Sequence, residues 1–191
     1  MNSPYTTIVS GLPRSGTSMM MQVLSAGGIE PLTDHVRKED EDNPKGYYEY
    51  EPVKRTKADP SWVPEARGKS VKMVYSLLYD LPDGYKYRVL FMDRDINEVI
   101  ASQKTMLKRL GREGAKVGDG KLKELFKTDI DRLKRWLAWK CNFTVLYINH
   151  KEMIISPFAQ CNRINKFLDN ILDIAAASTV VDPDLYRNRI D

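Results

Sequence analysis

A glycine-bounded turn near the start of the chain constrains its fold more than any other feature. The turn reads Gly-Leu-Pro-Arg-Ser-Gly-Thr-Ser over residues 11–18, between an apolar run at 5–10 and a methionine-rich segment. A strand, a tight turn and a helix start in this order direct backbone N–H groups and the positive end of a helix dipole at one point. The turn therefore predicts a site that cradles an anion such as phosphate.

The source of positive charge at this turn is unusual. The glycine spacing matches a phosphate-binding P-loop, except that Thr17 stands where a lysine normally follows the second glycine. Arg14 inside the turn can supply the charge, because a planar guanidinium can grip two oxygens of a phosphate or sulfate. Thr17 and Ser18 would add hydroxyl donors. A solvated arginine in an ordinary turn is the alternative, which the flanking strand and helix disfavour.

Apolar runs alternate with helical patterns along the rest of the chain. Alternating strands and helices require crossover connections, which produce a mostly parallel sheet. The sequence thus predicts one α/β domain over 1–191, with a three-layer α/β/α, P-loop NTPase-like fold. The predicted strands cover 7–10, 70–74, 88–92 and 144–148, and the predicted helices cover 18–26, 96–110, 121–141 and 157–167.

Two connections stand out. The segment 31–64 lacks periodicity and carries an acidic cluster at 39–42, and so long a connection is often a functional excursion across the carboxyl edge of a sheet. The segment 111–120 contains four glycines. We expect it to be mobile, either as a lid or as an ordinary flexible loop.

Composition excludes several classes of protein. Lys and Arg outnumber Asp and Glu by 30 to 26, an excess that suits a small anionic ligand and falls short of a nucleic-acid footprint. Neither a signal sequence nor a membrane-spanning apolar stretch is visible. Cys141 and Cys161 lack the spacing of a metal site, so reduced, buried thiols are expected. These features predict a cytoplasmic protein without nucleic-acid partners or membrane insertion.

A second group of anion-binding residues is predicted after the third strand. We call this group and the glycine turn with Arg14 the two anion grips. Arg94 directly follows the run 88–92, and Ser102 lies eight positions later on the next helix. Both side chains can therefore reach an anion beside the glycine turn. Taken singly, such an arginine is usually solvated and such a serine usually lies on a helix surface.

The two grips together resemble the sulfotransferase family that uses 3′-phosphoadenosine 5′-phosphosulfate, in its bacterial branch. The resemblance implies that the 3′-phosphate of this co-substrate is held by Arg94 and Ser102. It also implies transfer to a hydroxyl or amine of a small-molecule, saccharide or peptide acceptor, with no metal. The oligomeric state stays open. By the same resemblance, the 5′ end would be surrounded by Arg14, Ser15, Gly16, Thr17 and Ser18.

The resemblance also suggests catalytic residues. Lys72 occupies the place of a strand-end lysine near the transferring sulfuryl group, but Val74 stands where cytosolic members carry their catalytic histidine. The base must then come from elsewhere, and the excursion offers Asp34, His35 and Glu49. Any of these could take a proton from an acceptor hydroxyl within hydrogen-bond reach.

Residues near the end of the chain resemble further parts of the family pattern. His150 follows the last predicted strand, where the family places an adenine contact, and an imidazole could stack on the base. Arg187 and Arg189 lie in a tail that resembles bacterial members, so either could add charge near the 3′-phosphate. Frayed terminal arginines are the competing interpretation.

Two other functions fit parts of this pattern. A P-loop kinase would need a magnesium-binding carboxylate at a strand end, which Asp93 could offer, and a lysine on the γ-phosphate, which the turn lacks. A nucleotide-binding module without catalysis would explain the missing strand histidine. The sequence predicts a sulfotransferase as the first of these three functions.

Overall fold

The computed structural model describes residues 4–34, 36, 39, 46–114 and 117–185. Its centre is a sheet of four parallel strands in the order β2-β1-β3-β4. A mostly parallel sheet flanked by helices confirms the predicted α/β class. The strands are β1 (Thr6–Gly11), β2 (Ser70–Val74), β3 (Tyr87–Asp93) and β4 (Phe143–Asn149).

Helices cover both faces of the sheet. They are α1 (Thr17–Ala26), α2 (Ile96–Arg109), α3 (Asp119–Trp139), α4 (His150–Ile155), α5 (Pro157–Phe167) and α6 (Ile174–Thr179). Apolar side chains of α2 and α3 join one core cluster with Ile8, whereas those of α1, α4, α5 and α6 join a second cluster with Val9. Because neighbouring strand residues point to opposite faces, the two clusters are the two interfaces of a three-layer fold.

Strand β1 shows why the sheet lies at the centre. All six of its residues are buried, and its run of β-branched side chains has no exposed face. Continuous burial of this kind is typical of a parallel strand covered on both sides. The apolar run that predicted the strand therefore also predicted its central position.

Several elements differ from the sequence-based expectation. The short helices α4 and α6 were not predicted, because six residues span too few turns to show a period. Helix α3 ends at Trp139 rather than at residue 141, since Lys140 is extended. The expected burial of both thiols is therefore half wrong: Cys161 is buried in α5, but Cys141 lies beyond α3 and is exposed.

The predicted excursion is partly anchored to the sheet. Pro31 forms a bridge with Ser70 at the start of β2, and the Leu32 N–H donates to the Ser70 carbonyl at 2.8 Å. Farther along, a 3₁₀ helix spans Glu51–Arg55, and Trp62 packs in the core. Of the predicted flexible segment 111–120, the last two residues belong to α3.

The strand order creates a crevice at one edge of the sheet. From β1 the chain continues to β2 on one side, whereas from β3 it continues to β4 on the other side. The connections leave in opposite directions, so the carboxyl ends of β1 and β3 lie beside a crevice where such folds bind ligands. Among the described residues, no helix is long and apolar enough to cross a membrane.

A tight contact between α1 and α6 predicts a specific sensitivity. A methyl group on Gly27, at the end of α1, would collide with Leu172 and would lie 3.2 Å from Cβ of Ala177. We expect Gly27→Ala to lower the free energy of unfolding by about 1–3 kcal/mol, because both neighbours are buried. Urea denaturation measures this change.

The matched control is Gly84→Ala, because a methyl group there meets no atom within 4 Å. Its effect should stay within about 0.5 kcal/mol. Equal denaturation midpoints for the two variants would contradict the packing between α1 and α6.

Candidate functional site

The glycine turn connects β1 to α1 in the geometry expected of an anion site. Gly16 is the N-cap of α1 with φ 96°, and it has no side chain to accept from the first-turn N–H groups. Those donors and the positive end of the helix dipole are therefore directed toward the turn. Arg14 also adopts a left-handed backbone, with φ 74°. We call residues 11–16 the anion loop.

The two predicted anion grips form one connected structure. Nε of Arg14 donates to Oγ of Ser102 at 3.0 Å, which joins the anion loop to α2. Nη1 of Arg94 donates to the backbone carbonyl of Arg14 at 3.0 Å. The end of β3 therefore positions the Arg94 side chain beside the loop, and α2 orients the side chain of Arg14.

Glu98 is part of this arrangement and was missed by the sequence analysis. Its Oε2 lies 2.9 Å from Nε of Arg94, one helical turn away, and both side chains are almost fully buried. The carboxylate orients one edge of the guanidinium while another N–H group of Arg94 holds the loop. The spacing of four residues was the available signal, but it could equally have been a surface pair.

Lys72 and Glu49 face each other on the other side of the loop. Nζ of Lys72 donates to the carbonyl of Tyr47 and lies 3.4 Å from Oγ of Ser18 and 3.7 Å from Oε1 of Glu49. The other carboxylate oxygen of Glu49 lies 3.8 Å from Nζ of Lys54. Glu49 is thus held between two ammonium groups next to the start of α1.

Asp34 is engaged differently from Glu49. Its Oδ1 accepts from the Val36 N–H at 3.0 Å, and its Oδ2 accepts from the Glu51 N–H at 2.6 Å. Burial alone would raise the pKa of Asp34, but these backbone donors outweigh it and hold the pKa below its ordinary value. Both carboxylate oxygens therefore accept hydrogen bonds from nearby backbone N–H groups. His35, the third predicted base, lies outside the described residues.

The anion loop, Lys72, Glu49 and Arg94 line one cleft of about 530 Å³, a size typical of a small-molecule site. The anion loop and the start of α1 line one wall, and the segment 47–54 with the end of β2 lines another. Helix α2 contributes a stripe of four side chains that ends in Arg109. The predicted residues that line the cleft are Arg14, Gly16, Thr17, Ser18, Glu49, Lys72, Arg94, Ser102 and His150.

Ser15 and the tail arginines stand apart from this set. The Ser15 hydroxyl is buried under the anion loop, close to Gly11, with no hydrogen-bond partner among the described residues. It does not line the cleft, and its backbone N–H donates to the Leu12 carbonyl at 3.1 Å. Arg187 and Arg189 lie outside the described residues.

His150 begins α4 and packs against the anion loop. A methyl group on Gly16 would lie 2.5 Å from Cδ2 of the imidazole, so the close approach requires glycine at this position. Burial, and then the charge of Arg94, lower the pKa of His150 to about 4. The ring is therefore neutral near pH 7. Its contact with an adenine stays a prediction.

Comparisons with known proteins identify the same type of fold. No family model and no curated protein sequence matches the chain. Two solved structures align over its whole length. One is a sulfotransferase domain from the curacin biosynthetic pathway, with 14% identity, 93% of that chain covered and a TM-score of 0.55. The other is a sulfotransferase from Mycobacterium avium, with 16% identity, 70% of that chain covered and a TM-score of 0.52.

A sugar kinase from Janibacter also aligns with 95% of this chain, with 97% of its own chain covered, 11% identity and a TM-score of 0.45. That likeness is too weak to bear on function. The other two structures support an α/β fold of the sulfotransferase type, and at this level of identity they support the fold alone.

The buried pair of Arg94 and Glu98 predicts a large effect on stability. Replacing Glu98 with Gln leaves the guanidinium charge almost fully buried without its carboxylate. We expect a loss of about 3–5 kcal/mol in the free energy of unfolding, measured by urea denaturation. Lys134→Gln serves as the comparison because it breaks the exposed pair with Asp93, which should cost less than about 1 kcal/mol. Similar losses in both variants would contradict a structural role for the buried pair.

The lowered pKa of His150 predicts a pH-dependent stability. Because the folded pKa of about 4 lies below the ordinary 6.5, the unfolded chain binds the proton more readily, and stability falls as pH drops through this range. Between pH 7 and pH 5 the free energy of unfolding should fall by about 2 kcal/mol because of this residue. Urea titrations at both pH values should show this difference in the wild-type protein and its absence in His150→Gln. An unchanged pH dependence in the variant would refute the burial of a neutral imidazole.

Proposed function

We propose that this chain is a sulfotransferase that transfers the sulfuryl group of 3′-phosphoadenosine 5′-phosphosulfate to a hydroxyl or amine. The observation that carries the proposal is the convergence of two anion grips on one cleft. The bonds from Arg14 to Ser102 and from Arg94 to the Arg14 carbonyl connect the grips. A donor with phosphate groups at both its 3′ and 5′ positions needs such a pair, whereas ATP does not.

In the proposed complex, the anion loop and the first turn of α1 bind the 5′-phosphosulfate. Backbone N–H groups, the guanidinium of Arg14 and the hydroxyls of Thr17 and Ser18 would donate to its oxygens. The 3′-phosphate would lie next to Arg94 and Ser102. The cleft of about 530 Å³ has room for a nucleotide together with an acceptor.

The proposed reaction is an in-line displacement at sulfur. The acceptor oxygen or nitrogen gives its proton to Glu49 and forms a new bond to sulfur, while the bond from sulfur to the 5′-phosphate oxygen breaks. The electron pair leaves with 3′,5′-diphosphoadenosine. Lys72 and the N-terminus of α1 would stabilise the charge that develops on the departing phosphate, and such preorganised donors supply much of the catalysis in reactions of this kind.

Glu49 is the proposed base rather than Asp34. Glu49 lines the cleft and lies beside Lys72, the residue proposed to contact the reacting group. Asp34 does not line the cleft, and its two oxygens accept backbone hydrogen bonds. A base must reach the acceptor proton, and geometry therefore favours Glu49.

The kinase alternative has weaker support. Asp93, its proposed magnesium ligand, does not line the cleft and lies 3.5 Å from Nζ of Lys134. Thr17 occupies the position of the lysine that a P-loop kinase places on the γ-phosphate.

Calorimetry and isotope transfer test the proposed function together. We expect 3′,5′-diphosphoadenosine to bind without magnesium and more tightly than ATP with magnesium. The radiolabelled sulfuryl group of the donor should then appear on a probe acceptor chosen from p-nitrophenol, octylamine and cellobiose. Preference for ATP with magnesium would indicate a kinase, and tight diphosphoadenosine binding without transfer to any probe would indicate a binding module.

Lys72→Met should lower the turnover of that transfer about a hundredfold or more, because it removes a donor aimed at the reacting group. Its effect on the affinity for 3′,5′-diphosphoadenosine should be smaller. Lys57→Met is the control, since Lys57 is exposed and lies outside the cleft. Turnover that survives in Lys72→Met would remove Lys72 from the mechanism.

A further inference from the structure

The backbone around Glu49 is fixed at two carbonyl groups, with a left-handed residue between them. The carbonyl of Tyr47 accepts from Nζ of Lys72. The carbonyl of Glu49 accepts from Oγ1 of Thr33 at 2.9 Å and from the Asp34 N–H at 3.3 Å. Tyr48, between these points, has φ 53°, a conformation that a residue other than glycine adopts only when its surroundings hold it.

Asp34 provides the next point of attachment. Its Oδ2 accepts from the Glu51 N–H at 2.6 Å, while its own N–H donates to the Glu49 carbonyl. The residue thus bonds to the chain at the Glu49 carbonyl and again two residues later, just after the Cα that carries the Glu49 side chain. Its Oδ1 accepts from Val36, which orients the carboxylate.

The segment that carries Asp34 is itself attached to the strand that carries Lys72. The Leu32 N–H donates to the Ser70 carbonyl at 2.8 Å, two residues before Lys72 on β2. From there the connections lead through Asp34 to Glu49, and the Glu49 carboxylate faces Lys72 at 3.7 Å. The contacts form a closed circuit that starts and ends on β2.

We infer that Asp34, together with Thr33, is a positioning residue that fixes the carboxylate of Glu49 relative to Lys72. The inference rests on the proposed function, in which Glu49 takes the acceptor proton. A displacement of about 1 Å between a base and a reacting centre can reduce a rate about a hundredfold. The circuit supplies the rigidity that a carboxylate on a connecting segment would otherwise lack.

Asp34→Asn is the most direct test. The amide keeps the size of the side chain, but its nitrogen cannot accept, so one of the two backbone N–H groups loses its partner. We expect turnover to fall between about tenfold and a hundredfold, while the affinity for 3′,5′-diphosphoadenosine changes less than about twofold. Asp59→Asn is the matched control, because Asp59 accepts from the Ser61 N–H in a similar turn that is exposed and away from the cleft.

The pH profile distinguishes a positioning residue from a base. Among the residues that the structure describes, the ammonium groups of Lys72 and Lys54 lie next to the Glu49 carboxylate. If Glu49 is the base, the acidic limb of turnover persists in Asp34→Asn at lower turnover and disappears in Glu49→Gln. Loss of the limb in Asp34→Asn, with the limb kept in Glu49→Gln, would make Asp34 the base and would overturn the inference.

Carbon NMR tests whether Asp34 controls the surroundings of the Glu49 carboxylate, and it does not require turnover. In protein with isotope-labelled glutamate carboxyl carbons, the Glu49 resonance is assigned by its absence in Glu49→Gln. Its chemical shift should change in Asp34→Asn and stay the same in Asp59→Asn. Thr33→Val, which removes only the hydroxyl donor, should move it in the same direction and keeps the test available if Asp34→Asn does not fold.

The outcomes separate the inference from the proposed function. An unmoved Glu49 resonance in the folded Asp34 or Thr33 variant overturns the inference, whatever the activity. A moved resonance in a protein that transfers no sulfuryl group to any probe would refute the proposed function, while the control of Asp34 over Glu49 would stand.

Discussion

The site depends first on the contact between the Arg94 guanidinium and the Arg14 carbonyl. This bond joins the end of β3 to the anion loop after β1, and a buried carboxylate on α2 holds the guanidinium from the other side. Arg14 adopts a left-handed backbone, which costs a residue with a side chain about 1 kcal/mol or more. The bond from Arg94 helps to stabilise that conformation, and the loop then directs its donors into the crevice between the two strands.

A second set of contacts organises the opposite wall. Lys72 on β2 binds the backbone of Tyr47 and faces Glu49, while the segment 31–34 ties the same region to β2. Hydrogen bonds from residues on or next to the strands of the sheet therefore hold both walls of the cleft. Electrostatic stabilisation of a reacting group requires such preorganisation, because donors that must first rearrange lose much of their effect.

Much of the architecture could be predicted from local patterns. The apolar runs predicted the four strands, most directly β1 and β3, because burial on both faces of a parallel sheet needs continuous apolar stretches. Arg94 and Ser102 were found through their spacing, and they lie beside the loop as that spacing indicates. The short helices α4 and α6 escaped prediction, since their stability comes from packing against α1 and α5 rather than from their own periodicity.

The sequence by itself determined the strand, glycine turn and helix that make an anion site, because steric limits at φ and the helix dipole act within a few residues. Only the tertiary structure decided which charged groups share a cleft. Asp34 and Glu49 are fifteen residues apart in the chain, and nothing local distinguishes them as acids. Asp34 accepts from the Glu51 N–H within the same connecting segment, whereas Glu49 faces Lys72 on β2, and the folding of that segment onto β2 created both environments.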